Sequence, residues 1–285
     1  DVALLARNTP DANATYEFGY AQKTRSPNLY ERYSWSTGGM AMVMNNFVGD
    51  GNGYIGNPNL KPEVAHTLSV TGDWHSADRS YELKATPYYT HVTDFIDAQR
   101  CPVGLGCYTA ANSAKTTGFV YLQYVNQSAR LYGIDISGHM PLGKTAWGDW
   151  GLKGLLNYTK GKNRDTDDNL YNIMPLNAKL TLTHQLGGWD DALEVVGVQD
   201  KSHLSSVRDE VRTPGYGLVN LRASYSWTKT RLDFGIENVF DKLYYLPLGG
   251  AYVGQGVTMG FSGAPWGIAV PGTGRSINTA VTFKF

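Results

Sequence analysis

The sequence predicts an all-β protein, an antiparallel transmembrane β-barrel that contributes about ten strands. Three observations predict it. First, segments in which apolar and polar residues alternate recur along the chain. Second, the connections between these segments are alternately long and short. Third, the last segment ends on an aromatic residue, Phe285. Alternation with a period of two places successive side chains on opposite faces of a strand. Each strand of a membrane barrel needs this pattern, because one face touches lipid and the other touches a watery interior.

The last eleven residues, Arg275–Phe285, show the pattern most clearly. One side carries Ile277, Val281, Phe283 and Phe285, and the other side carries small or polar residues. The apolar side requires hydrocarbon, whereas the other side tolerates water. A strand that ends the chain on an aromatic residue is typical of bacterial outer-membrane β-barrels.

Composition agrees with a membrane barrel. Charged residues make up 18% of the 285 residues, below the ~25% usual for soluble domains. The formal net charge is zero, so we expect no nucleic-acid partner. No run approaches the ~18 apolar residues of a membrane helix, whereas barrel strands of ~9–11 residues keep the mean hydropathy low. No signal peptide precedes Asp1, so we expect a mature chain or a piece of a longer one.

Ten segments are predicted to be strands. They lie at residues 15–24, 65–75, 81–95, 118–140, 147–159, 176–185, 192–200, 216–227, 231–240 and 275–285. The fourth is longer than a membrane crossing requires and is predicted to project beyond the lipid.

The connections orient the strands. Short ones fall near residues 76–79, 141–146, 187–190 and 228–230, and long ones span 25–64, 97–117, 160–174, 201–214 and 243–273. Outer-membrane barrels have short periplasmic turns and long external loops. An even number of strands therefore places the start of the first strand and Phe285 together on the periplasmic side.

Aromatic residues near the short turns predict a membrane girdle, where amphipathic rings are stable. The predicted girdle residues are Trp74, Trp147, Trp189, Trp227, Phe283 and Phe285. A soluble β-sandwich is the alternative, but it rarely carries charges on one face and bulky aromatic residues on the other in so many strands.

Five stretches carry a family resemblance: Tyr20–Arg32, Gly56–Glu63, Tyr132–Asp135, Glu237–Tyr244 and Phe283–Phe285. Together, in this order, they resemble the carboxyl-terminal half of a TonB-dependent outer-membrane receptor. The resemblance implies a 22-stranded barrel closed by an amino-terminal plug. Residues 1–285 would then form the carboxyl-terminal part of the barrel, without the plug.

The resemblance also implies partners and a location. The chain would lie in the bacterial outer membrane, in contact with lipid, the plug and the remaining barrel strands. A TonB-type inner-membrane complex would pull on the plug, because the outer membrane has no ATP and no ion gradient of its own. Charged residues on the watery face would line water or pair with the plug: Glu82, Lys84, Asp135, Lys179, Arg222, Asp233 and Glu237.

The segment from Tyr33 to Tyr54 resembles the TonB-dependent copper receptors. Met40, Met42 and Met44 would place three thioethers on one face of an extended segment, and thioether sulfur suits Cu(I). Packing against the plug or other loops is the alternative. The family's copper site is thought to use Cys-x-x-x-Met in the plug and His-x-Met in an earlier loop, and this sequence contains neither motif. We expect copper as the transported ligand and no resident cofactor.

Other features have competing interpretations. Cys101 and Cys107 predict a disulfide within an external loop, with a thiolate metal site as the alternative. His91 near Asp94 and Asp97 could imitate the acid–base group of a ten-stranded outer-membrane protease.

The segment from Asp50 to Gly53 resembles the start of a calcium loop but lacks the later bidentate carboxylate. We predict no catalytic residue. The alternatives to copper import are a siderophore or metal-chelate receptor, a protease and a passive pore.

Overall fold

The computed structural model describes residues 1–34, 48–252 and 267–284. Most of them form one sheet, in which eleven antiparallel strands follow each other in chain order. These strands are β1 Val2–Asp11, β2 Ala14–Arg25, β4 Glu63–His75, β5 Glu82–Arg100, β6 Tyr121–Thr145, β7 Gly148–Asn163, β8 Asn177–Leu186, β9 Trp189–Val198, β10 Tyr216–Ser226, β11 Thr230–Glu237 and β14 Ser276–Phe283.

The remaining elements are short. Strand β3, Gly53–Ile55, pairs in parallel with β6, and β12, Ala251–Tyr252, pairs with β13, Ile268–Ala269. Within the described residues, two helices of five residues, α1 Leu29–Tyr33 and α2 Ala110–Ala114, lie in the long connections. None of the helices in the described residues is long and apolar enough to cross a membrane.

All ten predicted strands are present, and one further strand, β1, precedes them. Strand β2 starts at the end of the sheet that carries the short turns, as predicted, but Val2 of β1 lies at the opposite end, beside Gln22. Strand β6 also continues through Pro141 with a bulge before Gly143. The predicted turn at residues 141–146 is therefore shorter, because the strand runs to Thr145.

The two faces of the sheet differ as the alternation predicted. One row of apolar residues aligns across seven neighbouring strands, and we call it the apolar belt. It consists of Met140, Leu152, Leu182, Leu193, Leu221, Ile236 and Ile277. Ile277 is 66% exposed and Phe283 is 61% exposed, so neither is packed in a protein core. This face is the one that lipid covers.

The opposite face carries ion pairs. The Nζ atom of Lys179 lies 3.2 Å from Glu194 Oε2, and the Nη1 atom of Arg222 lies 3.3 Å from the same oxygen. Nearer the first strands, Lys84 Nζ lies 3.7 Å from Asp73 Oδ2. Charged side chains therefore line the inner face, where water solvates them.

The apolar core lies at the end of the sheet that carries the long connections. Leu60, Ile96 and Tyr124 form one buried cluster, and Ala98, Val120 and Leu122 form another. Strands β5 and β6 supply most of these residues, because they continue past the shorter strands. The long connections pack on this extension and form the candidate site.

Candidate functional site in the external loops

Four long connections and the extended ends of β5, β6 and β7 meet in a compact unit, which we call the external loop cluster. The connecting segments are residues 48–62, 101–120, 164–176 and 199–215, and residues 244–252 join them at one side. Buried charged groups, and not apolar side chains alone, hold these segments together.

Arg208 lies at the centre of the cluster and is buried. Its Nη1 atom donates to Asp97 of β5, its Nε atom donates to the Tyr54 hydroxyl at 3.0 Å, and the same Nε lies 3.7 Å from Asp50 Oδ2. Asn163 of β7 also donates to Asp97, at 2.9 Å. Burial lowers the pKa of Arg208, but Tyr54, Asp97 and Asp50 outweigh it, so the net pKa is raised well above its usual value. Arg208 therefore stays charged and binds three segments at once.

Tyr54 completes this arrangement. Its hydroxyl donates to Asp50 Oδ2 and accepts from Arg208. Burial raises the pKa of Tyr54 well above its usual value, against the lowering effect of Arg208. The ring also stacks on Tyr124 of β6, with 4.8 Å between the ring centroids. Tyr54 is thus a neutral donor that joins an apolar cluster to a charged one.

Asn52 joins the same segments through its amide group. Its Nδ2 atom donates to the Arg208 carbonyl at 2.7 Å, and its Oδ1 accepts from the Val120 amide at 3.0 Å. The next residue, Gly53, donates its amide to the Val120 carbonyl at 3.1 Å. These bonds explain why β3 pairs with β6, because Asn52 fixes the chain beside the start of that strand.

A second buried ion pair lies next to the first. Lys201 Nζ lies 2.6 Å from Glu210 Oε1, and both side chains are 3% exposed. Glu210 also accepts from the Asn172 amide, and Lys201 donates to the Pro247 carbonyl at 2.8 Å. The two charges are paired and hydrogen-bonded, which is the condition for burying them.

The Tyr171 ring separates the two ion pairs. Its centroid lies 5.4 Å from Arg208 Cζ and 5.8 Å from Lys201 Nζ. Burial raises the pKa of Tyr171, and the carboxylates of Asp50 and Glu210 add to the effect. The ring therefore remains neutral and presents a face to two cations.

A cavity of about 1000 Å³ opens beside the cluster, and its lining residues include Arg100, Lys115, Asp209 and Arg212. Arg100 Nη2 lies 3.0 Å from Asp209 Oδ1. Burial raises the pKa of Asp209, although Arg100 opposes that rise. Side chains of both charge signs therefore line this cavity.

The structure places the predicted site residues in different regions. Met40, Met42, Met44 and Phe285 lie outside the described residues. A disulfide joins Cys101 and Cys107, and both residues are buried. The bond closes a small ring where β5 passes into the segment 101–120, and it leaves no thiolate for a metal ion.

The predicted girdle tryptophans all lie at the short-turn end. Trp147 lies within a turn and is 78% exposed, whereas Trp74, Trp189 and Trp227 lie at strand ends. Sequence reasoning missed Tyr225, whose ring lies 5.0 Å from Trp189 and 4.5 Å from Trp227. Tyr225 lies two residues before Trp227, so alternation across the end of β10 was the available signal.

The protease and calcium alternatives find no support in the geometry. Asp97 pairs with Arg208 and not with His91, and the Asp50 side chain bonds to Tyr54 and to the Asn52 amide. Within residues 1–34, 48–252 and 267–284, no group of three or more His, Cys, Asp and Glu side chains could hold a metal ion.

Sequence reasoning missed the charged centre of the cluster, because Arg208, Lys201 and Glu210 resemble solvated loop residues. Arg208 and Asp97 are 111 residues apart in the chain. A sequence motif with a short, fixed spacing between its residues cannot predict such a pair.

Comparison with known proteins identifies the family. Residues 7–239 match the family model described as TonB dependent receptor-like, beta-barrel. The chain is 29% identical over 253 residues to the heme/hemopexin utilization protein C of Haemophilus influenzae (strain 86-028NP), covering 79% of this chain and 32% of that protein. It is 28% identical over 248 residues to the hemin receptor of Yersinia enterocolitica, covering 81% of this chain and 33% of that protein. The chain thus spans about a third of the length of these curated relatives.

Solved structures share the fold. The chain resembles the copper transporter OprC with a TM-score of 0.75 and 23% identity, over 99% of this chain and 39% of that one. It resembles a mutant of the ferric enterobactin receptor PfeA from Pseudomonas aeruginosa with a TM-score of 0.71 and 18% identity, over 99% of this chain and 40% of that one. Because residues 7–239 match the family model, the chain belongs to the TonB-dependent receptor β-barrel family, whose members are bacterial outer-membrane transport proteins and not enzymes.

Proposed function

We propose that this chain forms the carboxyl-terminal half of the barrel wall and much of the external mouth of a TonB-dependent importer of a metal-containing nutrient. The transported ligand proposed first is copper. The ligand would bind among the external loops and a plug, an inner-membrane TonB-type complex would pull the plug aside, and the barrel wall would stay in place. The outer membrane has no ATP, so this coupling supplies the energy.

The observation that carries the proposal is the anchoring of the methionine segment. The segment that contains Met40, Met42 and Met44 begins after Ser34, whose carbonyl accepts from the Gly56 amide. It ends before Val48, which packs on the buried cluster of Leu60, Ile96 and Tyr124. Both ends are therefore fixed on the external loop cluster.

The base of the same connection is also fixed. Arg25 at the end of β2 donates to Glu63 at 2.7 Å and to Glu31 at 3.0 Å. Glu31 caps α1, because it accepts from the Asn28 amide at 2.7 Å while the Asn28 side chain accepts from the Glu31 amide at 2.8 Å. Three soft sulfur ligands on a segment held at both ends suit Cu(I) capture.

Heme is the second candidate ligand, and the names of the curated relatives favour it. Heme iron in proteins takes axial ligands such as histidine, methionine or tyrosine. Residues 26–62 contain no histidine, but His203 lies exposed in the segment 199–215. His203 is therefore the histidine that we would test first for heme.

The experiment uses the intact receptor with Met40, Met42 and Met44 replaced by isoleucine. We expect Ag(I), as a stable substitute for Cu(I), to bind about tenfold more weakly, a loss of roughly 1.4 kcal/mol. Elemental analysis of equilibrated protein measures the metal. The matched control replaces Met140, on the lipid face, and Met174 with isoleucine and is expected to bind Ag(I) normally.

Hemin titration followed by absorbance distinguishes the two candidates. The triple variant could bind Ag(I) normally while the unmodified protein binds hemin and His203→Ala abolishes that binding. This result would make heme, and not copper, the proposed transported ligand. Unchanged Ag(I) binding without any hemin binding would overturn the role of the methionines.

A further inference from the structure

A histidine and an aspartate lie on the lipid-facing side of the sheet. Trp150, His184, Asp191, Ala223 and Phe234 align across strands β7 to β11. Each lies two residues along its strand from a member of the apolar belt, toward the short turns. Side chains two residues apart share a face, so this row faces lipid as the belt does.

The row has an aromatic boundary on its other side. Trp189, Tyr225 and Leu232 align in the next row toward the short turns. His184 and Asp191 therefore lie between the apolar belt and the aromatic residues that mark the membrane interface. Charged groups at this depth on the lipid face of a barrel are destabilising and need a compensating interaction.

Both ring nitrogens of His184 have an oxygen atom as hydrogen-bond partner. Its Nδ1 atom lies 2.9 Å from Asp191 Oδ2, and its Nε2 atom lies 2.6 Å from the Trp147 carbonyl oxygen. An ionised Asp191 and a backbone carbonyl both accept hydrogen bonds, so this geometry suits a ring that is protonated on both nitrogens and is therefore a cation. The His184–Asp191 pair is neutral overall, and one end of it is positive and the other negative.

A hollow of about 420 Å³ adjoins the negative end. Apolar side chains from four strands form its walls, with Leu182, Leu193, Leu221 and Phe234 among them. Ala223 lies between Asp191 and Phe234 in the row and leaves space because its side chain is small. The Asp191 side chain is 37% exposed, and its Oδ1 atom has no hydrogen-bond partner in the part of the chain that the structure describes.

We propose that this hollow binds a phospholipid with a primary ammonium headgroup, of the phosphatidylethanolamine type, from the periplasmic leaflet. The ammonium group fits Asp191 Oδ1, whereas the Trp150 ring packs on the His184 ring, with 4.5 Å between the ring centroids. The phosphate then lies toward the His184 cation, and an acyl chain lies along Leu182, Leu193 and Leu221. A headgroup without an amine would bring phosphate against the Asp191 carboxylate.

The test is native mass spectrometry of the intact receptor in detergent with phosphatidylethanolamine or phosphatidylglycerol added at equal concentration. Asp191→Asn is expected to reduce phosphatidylethanolamine retention on the order of tenfold, the loss expected for a hydrogen bond to a charged group. Ala223→Leu, which fills the hollow and keeps the ion pair, should reduce it similarly. Asp190→Asn is the matched control, because Asp190 is adjacent, faces the inner side and lies 3.7 Å from Arg231.

Selective loss of phosphatidylethanolamine in Asp191→Asn and Ala223→Leu, with Asp190→Asn unchanged, supports the site. Equal retention of both lipids in the unmodified protein overturns it. Unchanged retention in the Ala223→Leu variant overturns it too. If the unmodified protein is a dimer and both Asp191→Asn and Ala223→Leu are monomers, then a second copy of the chain, and not a lipid, occupies the hollow.

Discussion

Replacing Arg208 by methionine is expected to loosen the external loop cluster without disturbing the barrel wall. Arg208 is buried and compensates two buried carboxylates, Asp97 and Asp50. Removing one partner of a buried ion pair typically costs about 3–5 kcal/mol. Asp97 keeps its bond from Asn163, and Asp50 keeps its bond from Tyr54. We therefore expect the lower end, about 3 kcal/mol.

Hydrogen exchange of the intact receptor measures this loss locally. A cost of about 3 kcal/mol corresponds to roughly a hundredfold faster exchange, and we expect it in peptides that cover residues 48–60 and 199–215. Peptides from β8, β9 and β10 should not change. The double variant Arg208→Met with Asp97→Asn should recover part of the protection, because it removes one of the unpaired charges.

Arg212→Met provides the control. Arg212 lies in the same segment and its Nη2 atom is 2.9 Å from Asp200, but its side chain is 68% exposed. Exposed pairs contribute about 0–1 kcal/mol, so exchange should change by less than about fivefold. If the Arg208 and Arg212 variants exchange alike, Arg208 does not hold the cluster together.

Two further predictions concern the same cluster. Tyr54 is expected to keep its proton above pH 10, because burial raises its pKa in the folded protein. Above this pH the folded state binds more protons than the unfolded state. The free energy of unfolding therefore falls as the pH rises above ~10. Absorbance at 295 nm in alkaline titrations should show one late-titrating tyrosine fewer in Tyr54→Phe, and an unchanged profile would contradict the burial. Gly250→Ala is expected to detach residues 244–252 from Gly49, because an added Cβ would lie 1.9 Å from the Gly49 carbonyl oxygen at a φ of +68°. Limited proteolysis should then cut this segment. The control is Gly267→Ala, which should stay resistant, because Gly267 has a φ of +79° but an added Cβ would have no atom within 4 Å. Equal cleavage of the two variants would show that the contact with Gly49 is unimportant.

The barrel wall was predictable because each strand repeats one local rule. Alternation along residues 216–227 and 275–285 located β10 and β14 almost to the residue. Strand β1 was not predicted, because Val2, Leu4 and Leu5 belong to a nearly continuous apolar run without alternation, and Pro10 follows them. Strand β1 is evident only from its pairing with β2, because its own residues do not alternate between apolar and polar.

The external loop cluster was not predictable by the same rule. Its stability depends on pairs such as Arg208 with Asp97, whose partners come from distant segments. In the sequence, Asp97 is distinguished only by lying near His91, and the charges of the segment 199–215 show no periodic pattern. The disulfide was easier to predict, because Cys101 and Cys107 are close in sequence.

The length of β6 has a consequence for how the receptor meets its surroundings. Its 25 residues extend roughly 80 Å at about 3.3 Å per residue, far more than the ~9–11 residues that cross the membrane. Strands β5 and β6 therefore continue beyond the lipid, and their extended ends carry the buried clusters on which the long connections pack.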